Sequence, residues 1–370
     1  MYSIVDSIID EERKKKNSII DTVKSTQAVN LELEEIVKRS HARIMIAGVG
    51  GAGNNAITRL MEYGIDDAIT LAVNTDAQDL LYTTSHFKLL VGKDLTRGLG
   101  AGNHPQTGEA AARESMEAIK SQIKDVDLLF ITAGMGGGTG TGAAHVIAEI
   151  AQELGILTVS TCTLPFNVEG NKKKQNALWG LTRLANASDT IIVIPNQRLI
   201  ELAPDLSLGE AFRVADEILI RGVRGITELI TKPGLVNLDF ADIRTILSSG
   251  GNMGREAIIG LGESDSSNRA EIATRNALNN PLLDLNYINA KGALINICGD
   301  SSLTLQESET VMQILTEELN PDIEIIWGAL IDPDMKNNLR VTLILSGIET
   351  NTFNNNEHEF NSLEYGLNQK

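Results

Sequence analysis

Apolar and polar positions alternate in blocks from Arg43 onward, with short apolar runs separated by stretches of helical periodicity. The apolar runs are RIMIAG, AITLAVN, DLLFITA, ILTVSTCTL and TIIVIPN. Each is bounded by glycine or polar residues, and a helical stretch follows most of them. Nearly continuous apolar strands that alternate with helices are typical of a parallel sheet covered on both faces. Residues 43–206 are therefore predicted to form a Rossmann-type α/β domain.

A long amphipathic stretch follows this first domain. Ser207 and Glu210 stand at the spacing of a capping box, in which each side chain satisfies a free backbone N–H of the other residue. Pro233 and Gly234 end the pattern, so a central helix is predicted over 207–231. At that length it spans roughly 37 Å, enough to join two domains.

The second half of the chain has longer strands and fewer crossover helices. Its apolar runs are AIIGLGES, GALINICG, IEIIWGAL and RVTLILSGI, with helical stretches at 268–279 and 305–319. This pattern predicts a separate, smaller α+β domain over 232–348.

Both ends of the chain differ from the body. Residues 1–42 carry apolar pairs four positions apart, which predict an N-terminal helical extension that is docked on the core or frayed from it. A basic run at 13–16 leaves a partner-binding or membrane-surface role open, although the acids at 10–12 argue against a membrane. Residues 349–370 are polar and Asn-rich and are predicted to be a disordered tail, with a short docking peptide as the alternative.

Charge and composition exclude several classes of partner. The net charge is −17 and the pI is near 4.8, so nucleic acid and anionic membrane surfaces are not expected as general partners. Cys162 and Cys298 show neither disulfide nor zinc spacing. The start of the chain does not resemble a signal peptide, and no apolar run is long enough to cross a bilayer. These observations predict a cytoplasmic protein without direct membrane insertion.

Two glycine-rich turns each follow a predicted strand and open a predicted helix. The first, Gly48–Gly53, fits the pattern GxGxxG. Asp76 ends the next strand, where a dinucleotide-binding enzyme places the acidic residue that binds the ribose. Taken alone, this turn therefore indicates NAD binding. The second, Gly134–Gly142, is less common, and several glycines together expose backbone N–H groups at a helix N-terminus. A tight turn is the structural alternative. No lysine of the Walker type follows, so the charge of a di- or triphosphate bound here is met without a loop lysine, which leaves a role for Mg²⁺.

GGGTGTG in this position, together with NTDAQ (74–78), TRGLGAG (96–102) and NLDFAD (237–242), resembles the FtsZ family, the prokaryotic relatives of tubulin. The resemblance runs through about 43–348, and the N-terminal helix and missing long C-terminal linker are similar to archaeal members. It implies a tubulin/FtsZ-like GTPase domain joined by a central helix to the smaller α+β domain. It also implies GTP/GDP and Mg²⁺ as cofactors, head-to-tail polymerisation of the chain with itself at the division site, and a tail that binds membrane-anchor or division proteins.

Carried over motif by motif, the resemblance implies roles for individual residues. Phe212 stacks on guanine, Asp216 reads its edge, and Glu169 contacts the ribose. The residues implied for the phosphates and the rest of the nucleotide pocket are Gly51, Ala52, Gly53, Asn54, Asn55, Asn74, Asp76, Ala101, Gly102, Gly136, Gly137, Gly138, Thr139, Gly140, Thr141, Gly142 and Lys173.

The catalytic expectation rests on Asn237, Asp239 and Asp242. Their spacing alone favours a structural role, with Asp239 capping a helix and Asp242 complementing its dipole. The resemblance implies instead that this loop completes the GTP site of the next subunit, where its acids orient the attacking water.

Three departures from the family pattern stand near these motifs. Lys173 replaces the usual arginine, which keeps the charge and loses the planar fork. His104 precedes Pro105 where asparagine is usual, and the loop at 250–256 is longer than in most relatives.

Two other functions stay open: a tubulin-like GTPase with a cell-shape or regulatory role, and an NAD-dependent oxidoreductase. The oxidoreductase leaves the second glycine turn and the NLDFAD loop without a role.

Overall fold

A computed structural model describes residues 42–65, 68–198, 207–232, 234–236, 238–248, 256–279 and 289–348. Two units are distinguished, Met1–Ala42 and Arg43–Lys370, and the fold below is that of the second. The predictions for the N-terminal extension, the tail at 349–370, Asn237 and the body of the 250–256 loop lie outside the described residues.

The described strands form one ten-stranded sheet in the order β3-β2-β1-β4-β5-β6-β7-β10-β8-β9. In chain order the strands β1 to β10 are Ile44–Val49, Ile69–Asn74, Phe87–Leu90, Leu128–Gly134, Leu157–Leu164, Thr190–Pro195, Glu256–Ser264, Gly292–Gly299, Glu324–Ile331 and Leu339–Ile348. The first six pair in parallel, with Met45 opposite Ile69 and Ile44 opposite Leu128. The predicted parallel sheet is confirmed, and its strands are buried along most of their length as that pattern requires.

Helices cover the sheet. In chain order the described helices α1 to α11 are Gly50–Tyr63, Ala77–Tyr82, Lys93–Thr96, Pro105–Glu114, Met116–Ile123, Thr139–Glu153, Asn171–Ala187, Leu208–Thr231, Phe240–Ser248, Arg269–Leu278 and Leu305–Glu318. Short 3₁₀ turns lie at Asn167–Glu169 and Pro333–Met335. None of the described helices combines the length and the apolar character that crossing a bilayer takes.

The helical stretch between Pro105 and Ile123 is interrupted. It divides at Ser115 into α4 and α5, and the Ser115 hydroxyl oxygen accepts a hydrogen bond from the Gly92 backbone N–H at 3.0 Å. Serine readily bonds to backbone groups in non-helical conformations, and here the partner comes from a distant segment. Helical periodicity on both sides of Ser115 concealed this break.

The two halves of the chain share the sheet. β7, β10 and β8 pair antiparallel, and β8 pairs in parallel with β9. The link between the halves is narrow, because β6 and β7 pair through Ile191 with Glu256 and Ile192 with Ala257. The second half is thus mixed α+β as predicted, but its strands continue the first sheet. The boundaries at 206 and 232 stay a prediction.

The central helix α8 forms as the sequence indicates. The Ser207 hydroxyl accepts from the Glu210 N–H at 3.3 Å, and the Glu210 carboxylate accepts from the Ser207 N–H at 2.8 Å. Its buried face includes Val223 and Ile226, which pack in one apolar cluster with Phe130 from the first half and Ile344 from the second. The predicted capping box is confirmed, and the helix ties the two halves through a shared core.

A buried arginine fastens the second half. Arg269 of α10 lies 2.6 Å from the Glu307 carboxylate, and its guanidinium also donates to the Asn337 carbonyl at 2.7 Å and to the Ser302 hydroxyl at 3.0 Å. Hydrogen bonds from Ser302 and Asn337 hold the pKa of Asp300, which also faces Arg269, down at about 2. The guanidinium is therefore almost fully satisfied away from water.

We expect Arg269→Met to lower the free energy of unfolding by about 2 kcal/mol, because it removes a buried guanidinium and its charge-assisted hydrogen bonds to Glu307, Ser302 and Asn337. Urea denaturation of the purified chain measures this. The matched control is Arg275→Met on the same helix, where the ion pair with Glu271 is exposed and its loss should not be measurable. Equal effects of the two substitutions would contradict the argument.

Candidate nucleotide-binding site

The first glycine turn leads from β1 into α1 at the carboxyl edge of the parallel sheet. Gly50 has a φ of +72°, a conformation that favours glycine. A side chain at Gly53 would collide with the Thr132 carbonyl oxygen of β4, and one at Gly48 would lie 2.5 Å from the Gly53 carbonyl oxygen. These glycines therefore allow helix and strands to approach closely, which places the turn directly beside the end of β4.

The second turn leads from β4 into α6 and packs on the first. A Cβ atom at Gly140 would lie 2.7 Å from the Gly134 carbonyl oxygen and 3.1 Å from that of Val49. Side chains at Gly138 and Gly142 would meet the carbonyl oxygens of Gly102 and Pro105. Close backbone packing thus explains most glycines of the motif, whereas the sequence argument had assigned them to exposing N–H groups.

Two glycines of these turns face open space. A Cβ atom at Gly51 or Gly137 would meet no atom within 4 Å, and neither residue has a positive φ. Gly51 and Ala52 are exposed and Gly137 is half-buried. The free space in front of both turns is where a ligand can approach the backbone.

The N-terminus of α6 is uncapped by side chains. Its N-cap residue is Gly138, and its first turn contains no acidic residue. Such a helix end offers backbone N–H groups and a favourable dipole to an anion. The two threonines expected to face the ligand are engaged within the protein, since Thr139 Oγ1 lies 2.6 Å from Thr75 Oγ1 and Thr141 Oγ1 accepts from the Gly136 N–H at 2.8 Å.

An aspartate that sequence reasoning missed organises the two asparagines of the pocket. Asp79 Oδ2 accepts from Asn54 Nδ2 at 3.1 Å and from Asn74 Nδ2 at 2.6 Å. The carboxylate of Asp76 caps α2 by accepting from the backbone N–H groups of Gln78 and Asp79. Asp76 therefore caps a helix, a structural role that the prediction of a ribose-binding acid did not include.

The arrangement leaves one buried acceptor without a donor. Asn54 is fully buried, and among the described residues its Oδ1 has no hydrogen-bond partner. A buried acceptor of this kind costs free energy unless a donor arrives. A hydroxyl or N–H of a bound nucleotide would supply that donor, whereas the neighbouring Asn55 is exposed.

The base end of the site, as the resemblance implies it, lies in the first turns of α8. The Phe212 ring is 39% exposed and packs edge-to-face on buried Phe166, with 5.0 Å between ring centroids. One helical turn later, Asp216 Oδ2 lies 2.8 Å from Arg59 Nη1 of α1. Burial raises the pKa of the Asp216 carboxyl to about 6, although the Arg59 charge acts to lower it. Phe166 and Arg59 were not singled out from the sequence, because their partners lie far away along the chain.

The resemblance implies that Asp216 accepts from two donors of guanine, and a carboxyl with a raised pKa in that role would make nucleotide binding depend on pH. The ionised carboxylate that such binding requires is lost as the pH falls through about 6. We expect GDP affinity to be about tenfold lower at about pH 5 than at about pH 7. Equilibrium titration of nucleotide across this range measures it. Asp216→Asn controls for titration of the phosphates and should remove most of the difference in affinity between the two pH values. If the affinity of this variant depends on pH as steeply as that of wild type, the role implied for Asp216 is contradicted.

Glu169, which the resemblance implies for the ribose, forms an ion pair with Lys173. Glu169 Oε2 lies 2.8 Å from Lys173 Nζ, and Glu169 Oε1 accepts from the Phe166 N–H at 2.9 Å. Lys172 and Lys174 are exposed. Lys173 thus retains the ion pair to Glu169 that a basic residue at this position can make.

The loop at 99–104 closes on the second turn. Ala101 is buried against Gly138, and Gly102 is exposed with a φ of +58°. Asn176 of α7, also missed from the sequence, donates to the carbonyl oxygens of Asn103 at 3.0 Å and Gly136 at 3.2 Å. One buried amide therefore holds this loop against the second glycine turn.

The acids of the NLDFAD motif lie elsewhere. Asp239 Oδ1 accepts from the Ala241 N–H at 3.2 Å, which is the expected helix cap, and Asp242 lies in the first turn of α9; both are exposed. At the end of α9 the Leu247 carbonyl oxygen accepts a hydrogen bond from the hydroxyl of Thr190 at the start of β6, whereas the glycine turns follow the ends of β1 and β4. Because these strands are parallel, α9 lies at the edge of the sheet opposite the glycine turns of the same chain. Asn237 is outside the described residues.

The donor set for Mg²⁺ is consistent with a metal held mainly by phosphate. The described residues contain no group of three or more His, Cys, Asp or Glu side chains that would hold a metal ion. Mg²⁺ in nucleotide sites commonly keeps several waters and binds through substrate phosphates, so a protein cage is not required.

Comparisons with known proteins agree with this geometry. The model of the Tubulin/FtsZ family GTPase domain matches residues 43–204, and that of the FtsZ family C-terminal domain matches 255–349. A protein named Cell division protein FtsZ from Methanothermobacter thermautotrophicus is 50% identical over 350 residues, 95% of this chain and 90% of its own. Cell division protein FtsZ 1 from Pyrococcus horikoshii is 49% identical over 94% of this chain and 92% of its own.

Solved structures give the same result. An empty FtsZ dimer from M. jannaschii is 51% identical and superposes with a TM-score of 0.81, covering 86% of this chain and 92% of that one. CetZ1 from Haloferax volcanii, in a GDP-bound monomer, has a TM-score of 0.73, covers 84% of this chain and 95% of its own, and is 23% identical, so it shows the fold alone. The expected resemblance to archaeal members is confirmed. The chain belongs to the FtsZ family of tubulin-like GTPases.

Proposed function

We propose that this protein binds and hydrolyses GTP and polymerises head to tail into the protofilaments of a cell-division ring. Family membership and the relatives named as cell division proteins support this proposal. The observation that carries it is that Asp239 and Asp242 open a helix that contacts the start of β6, whereas the glycine turns follow the ends of the parallel strands β1 and β4, at the opposite edge of the sheet. Acids so far from the nucleotide of their own chain can serve the nucleotide of another.

In this proposal each part of the site has one task. Phe212 and Asp216 hold the guanine, and Glu169 holds the ribose. The turns at Gly51–Asn55 and Gly136–Gly142, with Ala101 and Gly102, surround the phosphates. The open space at Gly51 and Gly137, the uncapped N-terminus of α6 and the unpaired Asn54 Oδ1 support this placement. Mg²⁺ neutralises phosphate charge when it is bound.

Hydrolysis then requires two subunits. Asp239 and Asp242, with Asn237, enter the nucleotide site of the next subunit and orient a water molecule in line with the γ-phosphorus. A bond forms from the water oxygen to phosphorus and the bond to the β–γ bridging oxygen breaks, which yields GDP and phosphate. Positioning and charge stabilisation supply most of the rate in such reactions.

The same proposal extends to the cell. The protein acts in the cytoplasm at the division site, and the segment at 349–370 binds a membrane anchor or another division protein. A cell-shape or regulatory role is the second candidate. The CetZ structures share the fold at 22–23% identity and so do not favour it. The oxidoreductase hypothesis is disfavoured, because the chain belongs to the FtsZ family and the Asp76 carboxylate caps a helix.

The test is the specific rate of GTP hydrolysis against protein concentration with Mg²⁺, together with sedimentation of polymers. A rate per molecule that rises above a threshold concentration, with GTP-dependent pellets, is the expected result. A rate per molecule that is constant with concentration would sink the proposal of a shared site, and hydrolysis would then have to be assigned within one chain.

A further inference from the structure

A groove of about 870 Å³ runs between α1 and α8 beside the base end of the site. Arg59 of α1 lines it and reaches Asp216, with 2.8 Å from its Nη1 to the carboxylate Oδ2. The same Nη1 donates to the Arg213 carbonyl oxygen at 3.4 Å. Arg59 thus holds both the carboxylate and the helical turn that presents it.

This contact joins the two ends of the nucleotide site. α1 begins at the first phosphate turn, and α8 carries the base-facing residues. The Arg59 and Asp216 side chains are 29% and 15% exposed, so salt screens their attraction less than it screens a surface pair.

Two other charged groups that line the groove, Glu217 and Arg221, form ion pairs of their own. Glu217 lies 2.7 Å from Arg221, and Arg221 lies 3.3 Å from Glu263. Tyr63 hydrogen-bonds to Glu217, and Glu62 completes the α1 side of the groove. In the described part of the chain, Arg59 is the ion-pair partner of Asp216.

The charge of Asp216 decides what this site recognises. A carboxylate accepts from both N1–H and the 2-amino group of guanine, whereas hypoxanthine lacks the amino group and adenine lacks both donors at these positions. Burial favours the neutral carboxyl, which has lost acceptor capacity and donates a proton of its own. The positive charge of Arg59 favours the ionised carboxylate and so preserves its two acceptor oxygens. The planar guanidinium also fixes the position of the carboxylate oxygen that it binds.

We propose that Arg59 is a positioning residue for guanine specificity, which keeps the Asp216 carboxylate ionised and oriented without touching the nucleotide itself. The proposal rests on the base-reading role of Asp216 proposed above. It adds to that role a residue on another helix, so selectivity for the base depends on the packing of α1 against α8.

The test compares wild type with Arg59→Met, which keeps the aliphatic stem and removes the guanidinium. GDP and IDP dissociation constants are measured at about pH 6, 7 and 8 in the presence of Mg²⁺. The dissociation constant of each variant is divided by that of wild type at the same pH, which cancels the effect of phosphate titration. Since an opposite charge nearby commonly shifts an aspartate pKa by about one unit or more, we expect GDP affinity to fall about fivefold at pH 6 and less at pH 8. The preference for GDP over IDP should fall with it.

Three further variants make the outcome decisive. Arg59→Lys keeps the charge and should restore most of the affinity at pH 6. Arg213→Met removes a guanidinium that lines the same groove without bonding to Asp216, and it should behave as wild type. If Arg59→Met does not fold, Arg59→Gln takes its place, with thermal melting at each pH as the check on folding.

A loss that is the same at every pH, with the GDP preference unchanged, would assign Arg59 a merely structural role and overturn the proposal. No loss at all would overturn it as well. Asp216→Asn separates this failure from that of the proposed function. If Asp216→Asn itself leaves the preference unchanged, the base-reading role of Asp216 is the part that fails; if it abolishes the preference and Arg59→Met does not, only the role of Arg59 fails.

Discussion

Asp242→Ala is expected to bind GTP as wild type does and to hydrolyse it at least about a hundredfold more slowly, because it removes a group proposed to orient the attacking water. Asp242 is exposed, so the substitution should not disturb folding. The measurements are nucleotide affinity and phosphate release at a concentration that supports polymer. Thr245→Ala, exposed on the same helix, is the matched control and should retain activity. Loss of GTP binding in Asp242→Ala would contradict the assignment.

Asp239 needs a second variant because it also caps α9. Asp239→Ala removes the cap, which costs about 1 kcal/mol, as well as the charge. Asp239→Asn keeps an oxygen that can accept from the Ala241 N–H and removes only the charge. If both variants lose hydrolysis and only the alanine variant loses stability, the catalytic and capping roles are separate. If Asp239→Asn hydrolyses GTP normally, Asp239 is a cap and no more.

A mixing experiment tests whether the acids act on a neighbour. Asp242→Ala keeps its nucleotide site, and Asp216→Ala keeps its catalytic loop. If the acids of one subunit serve the nucleotide of the next, a mixture of the two inactive proteins should hydrolyse GTP. A mixture as inactive as its components, under conditions where the two copolymerise, would argue for catalysis within one chain.

Gly140→Ala is expected to damage folding and binding together. The added methyl group would lie 2.7 Å from the Gly134 carbonyl oxygen and 3.1 Å from that of Val49, where rigid strand ends leave no room. Alanine in a helix gains up to about 1 kcal/mol over glycine, but a backbone clash of this kind costs about 1–3 kcal/mol or more. We therefore expect a lower urea midpoint and weak GDP binding.

Gly137→Ala is the matched variant in the same turn. Its methyl group would meet no protein atom within 4 Å and requires no positive φ. It should leave the urea midpoint unchanged and weaken GDP binding by about tenfold, since the methyl group would project into the space proposed for the phosphates. Equal destabilisation by both substitutions would contradict the packing argument. Unchanged GDP binding in Gly137→Ala would mean that the phosphates do not lie beside this residue.

Local pattern was sufficient where the structure is local. The apolar runs around Ile46 and Phe130 predicted parallel strands, and Ser207 with Glu210 predicted the start of α8, because strand burial and helix capping depend on residues close together in sequence. The same holds for the two glycine turns, each of which follows its own strand. The short elements Ala77–Tyr82 and Phe87–Leu90 were not predicted, since segments this brief and partly exposed have little periodicity.

The partners within the site could not be predicted from pattern. Asp79 binds Asn54 and Asn74, Arg59 binds Asp216, and Phe166 supports Phe212. Each of these contacts joins side chains from different elements or from turns that packing brings together. A sequence shows which residue types are present, but hydrogen bonding and ring packing depend on distances that no sequence period encodes.

The sequence by itself determined the α/β fold of the first half, the central helix, the two glycine turns and, through the motifs that carry the resemblance, the family. Only the tertiary structure decided that the strands form one sheet through Ile191 and Ile192, and that most glycines of the second turn serve backbone packing. It also decided that Asp239 lies remote from the turns of its own chain. The physical reason is the same throughout. Periodicity and capping are properties of neighbouring residues, whereas close approach and separation are set by how whole helices and strands pack.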